Sequence, residues 1–321
     1  MREHEDAPPL WGVRVVTLAV NVPGPVAAAR LCELGASVTK VEPPGGDPLE
    51  AVSPAWYHEL CAGQEVVRLD LKQTEDRAAL DDLLGRADVL LTASRPAALN
   101  RLGLAWPGLH ERFPRLAWVA IVGHAAPHAD ASGHDLTYVA SVGLLDPPRL
   151  PRTLLADLAG AERAVSAALA LLYARERGQD AGYAEVSLAE AARSFAEPLR
   201  HGLTRPGGLL NGGLPAYNVY RAEEGWIAVA ALEPHFRERL QREFALERLD
   251  AEALRHVFRQ RSAAYWEAWG LERDLPVAVL REYEGATHER PNDGLPADDT
   301  RDTAARGAVA RTQGHRDPAA G

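Results

Sequence analysis

The sequence contains very little cysteine. Cys32 and Cys61 are the only two among 321 residues. Two thiols cannot form a framework of several disulfides, and they cannot supply a cysteine-based zinc site. We therefore expect no disulfide scaffold and no cysteine-based zinc site.

Long apolar runs are also missing. The longest extends from Ala164 to Ala174 and is interrupted by Ser166. It is much shorter than the roughly 20 apolar residues that cross a bilayer. Residues 1–9 are acidic and polar, unlike a secretory signal. The sequence therefore predicts a cytoplasmic protein without membrane association.

Positive charge is scarce as well. The formal net charge is −10 at pH 7, whereas broad nucleic-acid binding requires a basic surface. Lysine occurs only at Lys40 and Lys72, so arginine carries the other positive charges. An apolar content of 46% and a charged content of 25% are typical of a globular protein, and the length suffices for two domains. We expect no nucleic-acid partner.

The first part of the chain alternates between strand and helix patterns. Gly12 to Ala19 is a β-branched run, Val26 to Leu34 a short helix and Ser37 to Glu42 a second strand, which predicts a βαβ unit. Further strands are predicted at Val66 to Leu71, Ala87 to Thr92, Leu116 to Val122 and Tyr183 to Leu188. The alternation predicts an α/β architecture with a parallel sheet. The G-x-G-x-x-G dinucleotide motif is missing, but the turn after the first strand can still receive a ligand.

The pattern changes after the last of these strands and the helix predicted to follow it, Ala189 to Leu203. A Gly/Pro-rich loop at Arg205 to Pro215 precedes a hairpin, several helices and a short apolar strand, which together predict a smaller α+β domain. We assign residues 1–203 to a large domain and 204–285 to a small one. Residues 286–321 contain almost no apolar side chains, so we expect a disordered tail.

The stretch from Gly133 to Gln179 holds the first candidates for chemistry. His134 lies among turn formers, and Asp157 stands where a helix of about 20 residues begins, beside a small-residue turn at Ala159 to Ala161. A carboxylate there is explained by helix capping alone. The same backbone N–H groups could instead bind a carbonyl oxygen that becomes an enolate or a tetrahedral anion. These residues by themselves leave both alternatives open.

Seven segments taken together resemble the family III CoA-transferases of the CaiB/BaiF type, a group that includes the α-methylacyl-CoA racemases. They occur in the family's order between about Leu10 and Leu280 and read GVRVVTLA…PGPVAAARLCELGASVTKVEPPGGDP, VVRLDLK, SRPAALNRLGLA, SGHDLTY, LLADLAG, LLNGGLPAYNVY and ALEPHF. The resemblance implies a Rossmann-like large domain that binds CoA, a small domain and an interlocked homodimer. It also implies an acyl-CoA substrate, with coenzyme A as part of that substrate, and neither a metal ion nor a bound prosthetic group.

The resemblance further assigns roles to individual residues. In the racemases, a histidine and an aspartate at the positions of His134 and Asp157 exchange a proton with opposite faces of the substrate's α-carbon. The glutamate that matches Glu233 is expected to orient the histidine. The positions expected to contact CoA are Lys40, Arg95, Tyr138 and Gly160.

Three functions remain open on this basis. His134 favours a racemase or epimerase of 2-methylacyl-CoA, because the transferases more often carry tyrosine or phenylalanine there. In a CoA-transferase, Asp157 alone would act as the nucleophile, through a mixed anhydride and then an enzyme–CoA thioester. A non-catalytic acyl-CoA-binding homologue is the third, because Cys61 to Gln64 replace the family's Asn-Arg-x-Lys cluster and its C-terminal return is not recognisable after Leu280.

Overall fold

The computed structural model describes residues 7–180 and 182–281, so the predicted tail lies outside the described residues. The chain divides into two compact units, one ending at Tyr217 and the other beginning at Asn218. The Gly/Pro-rich loop belongs to the first unit, and the domain boundary at 203/204 stays a prediction of the sequence. None of the described helices is long and apolar enough to cross a membrane.

The first unit is built on a six-stranded sheet. Its strands are β1 (Arg14–Thr17), β2 (Ser37–Glu42), β3 (Glu65–Arg68), β4 (Val89–Thr92), β5 (Ala117–Val122) and β6 (Tyr183–Ser187). They lie in the order β3-β2-β1-β4-β5-β6, and every neighbouring pair is parallel. This is the order of the doubly wound Rossmann-like sheet, so the predicted fold class is confirmed. The order reverses between β1 and β4, where the connections leave in opposite directions and open a crevice.

Ten helices of the described residues belong to this unit. They are α1 (Pro23–Glu33), α2 (Pro48–Val52), α3 (Pro54–Leu60), α4 (Thr74–Leu84), α5 (Pro96–Arg101), α6 (Trp106–Arg112), α7 (Asp135–Ser141), α8 (Leu155–Glu176), α9 (Leu188–Phe195) and α10 (Glu197–Arg200). They cover both faces of the sheet. Val89 and Leu91 pack into the core on one face, and Leu90 between them packs into the core on the other. All four residues of β4 are therefore buried, as expected of a parallel sheet that is covered on both sides.

Helix α8 occupies the centre of one of these two layers. Its buried face carries Ala161, Ala164, Val165, Ala168 and Leu172 at helical spacing. The predicted turn at 159–161 is wrong, because α8 begins at Leu155 and these three residues lie inside it. Small residues at this point let α8 pack closely against the start of α9.

The sequence did not indicate α2, α3 or α7, which are only five to seven residues long. The predicted helix from Ala189 to Leu203 is divided in two, since Pro198 lies at the beginning of α10 and cannot donate a backbone hydrogen bond to α9.

The second unit contains the smaller α+β arrangement, as predicted. It consists of β7 (Tyr217–Arg221), β8 (Trp226–Ala230), α11 (Pro234–Glu243), α12 (Ala251–Phe258), α13 (Ala263–Glu272) and β9 (Val277–Val279). The strands lie in the order β7-β8-β9, and β8 pairs antiparallel with β9.

A buried ion cluster connects β2 to the helices beyond it. The Lys40 ammonium lies 2.6 Å from an Asp47 carboxylate oxygen and 3.1 Å from a Glu42 oxygen, and all three side chains are buried. The Tyr57 hydroxyl of α3 donates to Glu42 at 2.9 Å. The other Glu42 oxygen lies 3.7 Å from the guanidinium of the exposed Arg68, so a second cation reaches the cluster from its edge.

The same cluster fixes the turn that follows β1. Asp47 caps α2 by accepting from the Leu49 N–H at 3.0 Å, and its carboxylate also accepts from the Asn21 N–H at 2.9 Å. Asn21 has a φ of 71°, an unfavourable backbone conformation for a residue with a side chain. The hydrogen bond from its N–H therefore stabilises a strained turn at the carboxyl end of β1.

Lys40→Met should destabilise the protein strongly, because it removes the buried cation that contacts both the Asp47 and the Glu42 carboxylate. Breaking a buried ion pair from one side costs about 3–5 kcal/mol, which urea unfolding at neutral pH would measure. Lys72→Met is the matched control, since Lys72 is exposed and its loss should change the free energy of unfolding by less than about 0.5 kcal/mol. Equal stability of the two variants would show that Lys40 is not needed to compensate Glu42 and Asp47.

Candidate active site

A cavity of about 250 Å³ opens at the carboxyl edge of the sheet. The connections after β1, β4 and β5 contribute to its wall, together with the first residues of α7 and α8. Four of the predicted site residues line it, namely Arg95, His134, Tyr138 and Asp157. The structure therefore brings together side chains from three separate segments of the sequence.

His134 immediately precedes α7. Its backbone N–H donates to the Thr137 hydroxyl oxygen at 3.1 Å, and the Thr137 hydroxyl donates to the His134 carbonyl at 2.8 Å. These bonds fix the backbone from which the imidazole projects, while the histidine itself is exposed at the cavity.

The start of α8 is capped by Asp135, not by Asp157. One oxygen of the buried Asp135 carboxylate accepts from the N–H groups of Ala156, at 2.6 Å, and Asp157, at 3.0 Å. The capping interpretation of Asp157 is therefore wrong. These two N–H groups are also occupied, so they are not the expected donors to a developing anion.

The Asp157 carboxylate is left available for other interactions. No hydrogen bond given by residues 7–180 or 182–281 ends on its oxygens. Burial, followed by the negative charge of Asp135, raises its pKa from 3.8 to about 6, and His134 acts in the opposite direction. A carboxyl that titrates near neutrality can serve as both acid and base at physiological pH.

Two glycines make room for Tyr138, and neither was recognised in the sequence as part of the site. A Cβ atom at Gly123 or Gly133 would collide with the Tyr138 ring or its hydroxyl. The SGHDLTY segment suggested a turn at Gly133. The close packing of Gly123 against the Tyr138 ring has no local signal, because the two residues are far apart in the sequence. Burial and the charge of Asp157 raise the pKa of the Tyr138 hydroxyl, and Arg95 opposes them.

Arg95 supplies positive charge at the cavity. It precedes α5, and its guanidinium donates to the Ser132 hydroxyl at 3.1 Å. Asp130 accepts from the Ala97 N–H at 3.0 Å, so the segment before His134 is fastened to the start of α5.

The other three predicted site residues lie elsewhere. Lys40 is fully enclosed by its carboxylate partners. Gly160 is buried in α8, where a Cβ atom would collide with Leu188 of α9. Glu233 belongs to the second unit, where it is exposed and directly precedes α11. Their roles at the site stay predictions.

A second cavity of about 370 Å³ shares Val20 and Ser94 with the first. Its wall is mostly apolar and also contains Glu42, Asp70 and Lys72. Among the described residues, no group of three histidine, cysteine or acidic side chains is placed to hold a metal ion.

Asp157→Asn should stabilise the protein at neutral pH. The folded pKa of about 6 exceeds the ordinary 3.8, so the folded state holds the extra proton and loses stability as the pH rises between these values. The variant escapes that loss, and its advantage in urea unfolding should be about 1–3 kcal/mol near pH 7.5 and vanish near pH 4. Asp180→Asn removes an exposed carboxylate and serves as control. A pH-independent difference would contradict the raised pKa.

Known proteins resemble the chain in both sequence and fold. The alpha-methylacyl-CoA racemase of Homo sapiens is 31% identical over 249 residues, covering 72% of this chain and 63% of the human protein. A succinyl-CoA–D-citramalate CoA-transferase of Chloroflexus aurantiacus is 28% identical over 248 residues, covering 70% of this chain and 61% of that protein. The chain thus spans less than two thirds of the length of either relative.

Solved structures agree with this relationship. The crystal structure of a hypothetical protein from Mycobacterium tuberculosis matches with a TM-score of 0.75 and 25% identity, covering 86% of this chain and 85% of that one. A model of CoA-transferase family III matches residues 10–294, which is most of the sequence. The chain belongs to CoA-transferase family III.

Proposed function

We propose that the protein is an acyl-CoA racemase or epimerase that inverts the α-carbon of a 2-methylacyl-CoA. The observation that carries this proposal is that His134 and the Asp157 carboxyl, with its pKa of about 6, line the same cavity. Two-base inversion requires two groups of comparable proton affinity, one protonated and one not.

The reaction needs only proton transfers. The unprotonated member of the pair removes the α-hydrogen, and the electron pair of the broken C–H bond moves into the thioester as an enolate. The protonated member then delivers its proton to the other face of the α-carbon. Both carbon configurations are substrates, because the two side chains exchange roles between the directions.

Coenzyme A would enter as part of the substrate. The apolar second cavity adjoins the first through Val20 and Ser94, so we assign it to the nucleotide end of CoA. Arg95 would face a phosphate or the thioester oxygen, since charge-assisted bonds dominate such contacts. No prosthetic group takes part in this scheme.

The predicted homodimer, the cytoplasmic location and the orienting role of Glu233 belong to the same proposal. The homodimer and the role of Glu233 rest on the resemblance to the racemases, and the cytoplasmic location rests on the composition of the chain.

A CoA-transferase is the second candidate. The uncommitted Asp157 carboxylate favours it, because its oxygens are available to attack a thioester carbonyl. Asp157 would attack the thioester carbonyl, releasing CoA thiolate and leaving an acyl anhydride. The thiolate would attack the aspartyl carbonyl, forming an enzyme–CoA thioester and releasing the first acid as a carboxylate. An acceptor carboxylate would attack that thioester, giving a second anhydride and CoA thiolate. The thiolate would then attack the acceptor's acyl carbonyl, so that the new acyl-CoA leaves and the Asp157 carboxylate is regenerated.

Binding without catalysis is the third candidate. The enclosure of Lys40 favours it, since this lysine is paired with Asp47 and Glu42. In addition, Gln64 takes the position of the lysine in the family's Asn-Arg-x-Lys cluster. Its side chain carries no positive charge and donates to the Leu60 carbonyl at 2.6 Å.

Incubation of a 2-methylacyl-CoA in D2O without any acceptor distinguishes these candidates. We expect exchange of the α-hydrogen and loss of optical purity. His134→Ala should reduce both by about 10²–10⁴-fold, as expected for removal of a positioned base, and Asp157→Asn should do the same. His128→Ala, which removes an exposed histidine nearby, should retain full activity.

Two other results would contradict the racemase proposal. Turnover that requires a carboxylate acceptor, survives His134→Ala and leaves an acyl adduct on Asp157 would replace the racemase with the transferase. CoA binding without either reaction would favour the non-catalytic candidate.

A further inference from the structure

Asp135 connects the two side chains of the proposed reaction. It follows His134 directly in the sequence, and its carboxylate accepts from the N–H groups of Ala156 and Asp157, more than 20 residues away. The side chain is 6% exposed. Asp135 is not one of the described residues that line the cavity.

We propose that Asp135 is a positioning residue, which fixes the start of α8 beside His134 and holds a negative charge behind the Asp157 carboxylate. The inference rests on the proposed role of His134 and Asp157. It concerns only how these two groups are held and tuned, and it gives Asp135 no contact with the substrate.

The positioning part follows from the hydrogen bonds. Leu154, which precedes α8, has no polar side chain and forms no capping bond, so the first turn of α8 depends on Asp135 from α7. A displacement of about 1 Å at a reacting group can reduce turnover by about 10²-fold. Loss of these bonds should therefore lower turnover more than substrate binding.

The tuning part follows from the charges around Asp157. Asp135 and His134 are the two side chains whose charges act on its pKa, in opposite directions. Tyr138 and Arg95 face it across the cavity. Further along α8, Glu162 is paired with Arg30 of α1.

Two substitutions separate the two parts. Asp135→Asn keeps an oxygen that can accept from both N–H groups but removes the negative charge. Asp135→Ala removes the charge and the acceptor. Asp250→Asn is the matched control, because Asp250 caps α12 in the second unit through the Ala253 N–H at 2.8 Å.

The test measures the pH dependence of α-hydrogen exchange in each variant. In Asp135→Asn, the part of the pH–rate profile that reports the ionisation of Asp157 should move to lower pH by roughly half a unit to one unit. The reason is that a neighbouring like charge has been removed. Asp135→Ala should in addition lower kcat by about 10-fold or more with a smaller change in KM. Asp250→Asn should leave the profile unchanged.

A second measurement needs no activity. The effect of Asp157→Asn on the free energy of unfolding is measured against pH, once in the wild type and once in the Asp135→Asn variant. The pH at the midpoint of this effect should be lower in the Asp135→Asn variant by roughly the same half to one unit. If the midpoint shifts but exchange is absent, the proposed function fails while the charge coupling stands. An unchanged profile and midpoint, accompanied only by lower stability, would overturn the inference and leave Asp135 as a simple cap.

Discussion

The site depends on one buried carboxylate at the start of a helix. Asp135 accepts the two N–H groups at the start of α8, which an ordinary capping residue at Leu154 would otherwise have to satisfy. This leaves the Asp157 carboxylate uncommitted at the cavity and places a negative charge next to it. Burial and that charge oppose its ionisation, so the pKa rises to about 6. Asp135 thus contributes both to the availability of the Asp157 carboxylate and, after burial, to its raised pKa.

The sheet determines where this arrangement lies. In a parallel sheet all strands end at the same edge, and the reversal of order between β1 and β4 opens the crevice there. The turn after β1 is fixed by Asp47, whose charge is compensated by Lys40. The hydrogen bond from Arg95 to Ser132 joins the segment after β4 to the segment before His134. Each wall of the cavity is therefore held by a polar contact between segments distant in sequence.

Local patterns in the sequence were sufficient for much of the fold. The strand from Ser37 to Glu42 was predicted with its observed ends, because the β-branched residues Val38, Thr39 and Val41 mark it locally. The family motifs identified four residues that meet at the cavity. The capping by Asp135 could not be predicted, since it joins residues 21 and 22 positions apart. The enclosure of Lys40 depends likewise on Asp47 and on the short helix α2.

The pKa of the Asp157 carboxyl is the most direct measure of this account. It can be obtained by carbon-13 NMR titration of aspartate side chains, with Asp157→Asn identifying the resonance by its loss. The account predicts a midpoint of about 6, with the carboxyl partly protonated at slightly acidic pH. A midpoint near the ordinary 3.8 would contradict it, because burial and the charge of Asp135 would then not oppose the ionisation of Asp157.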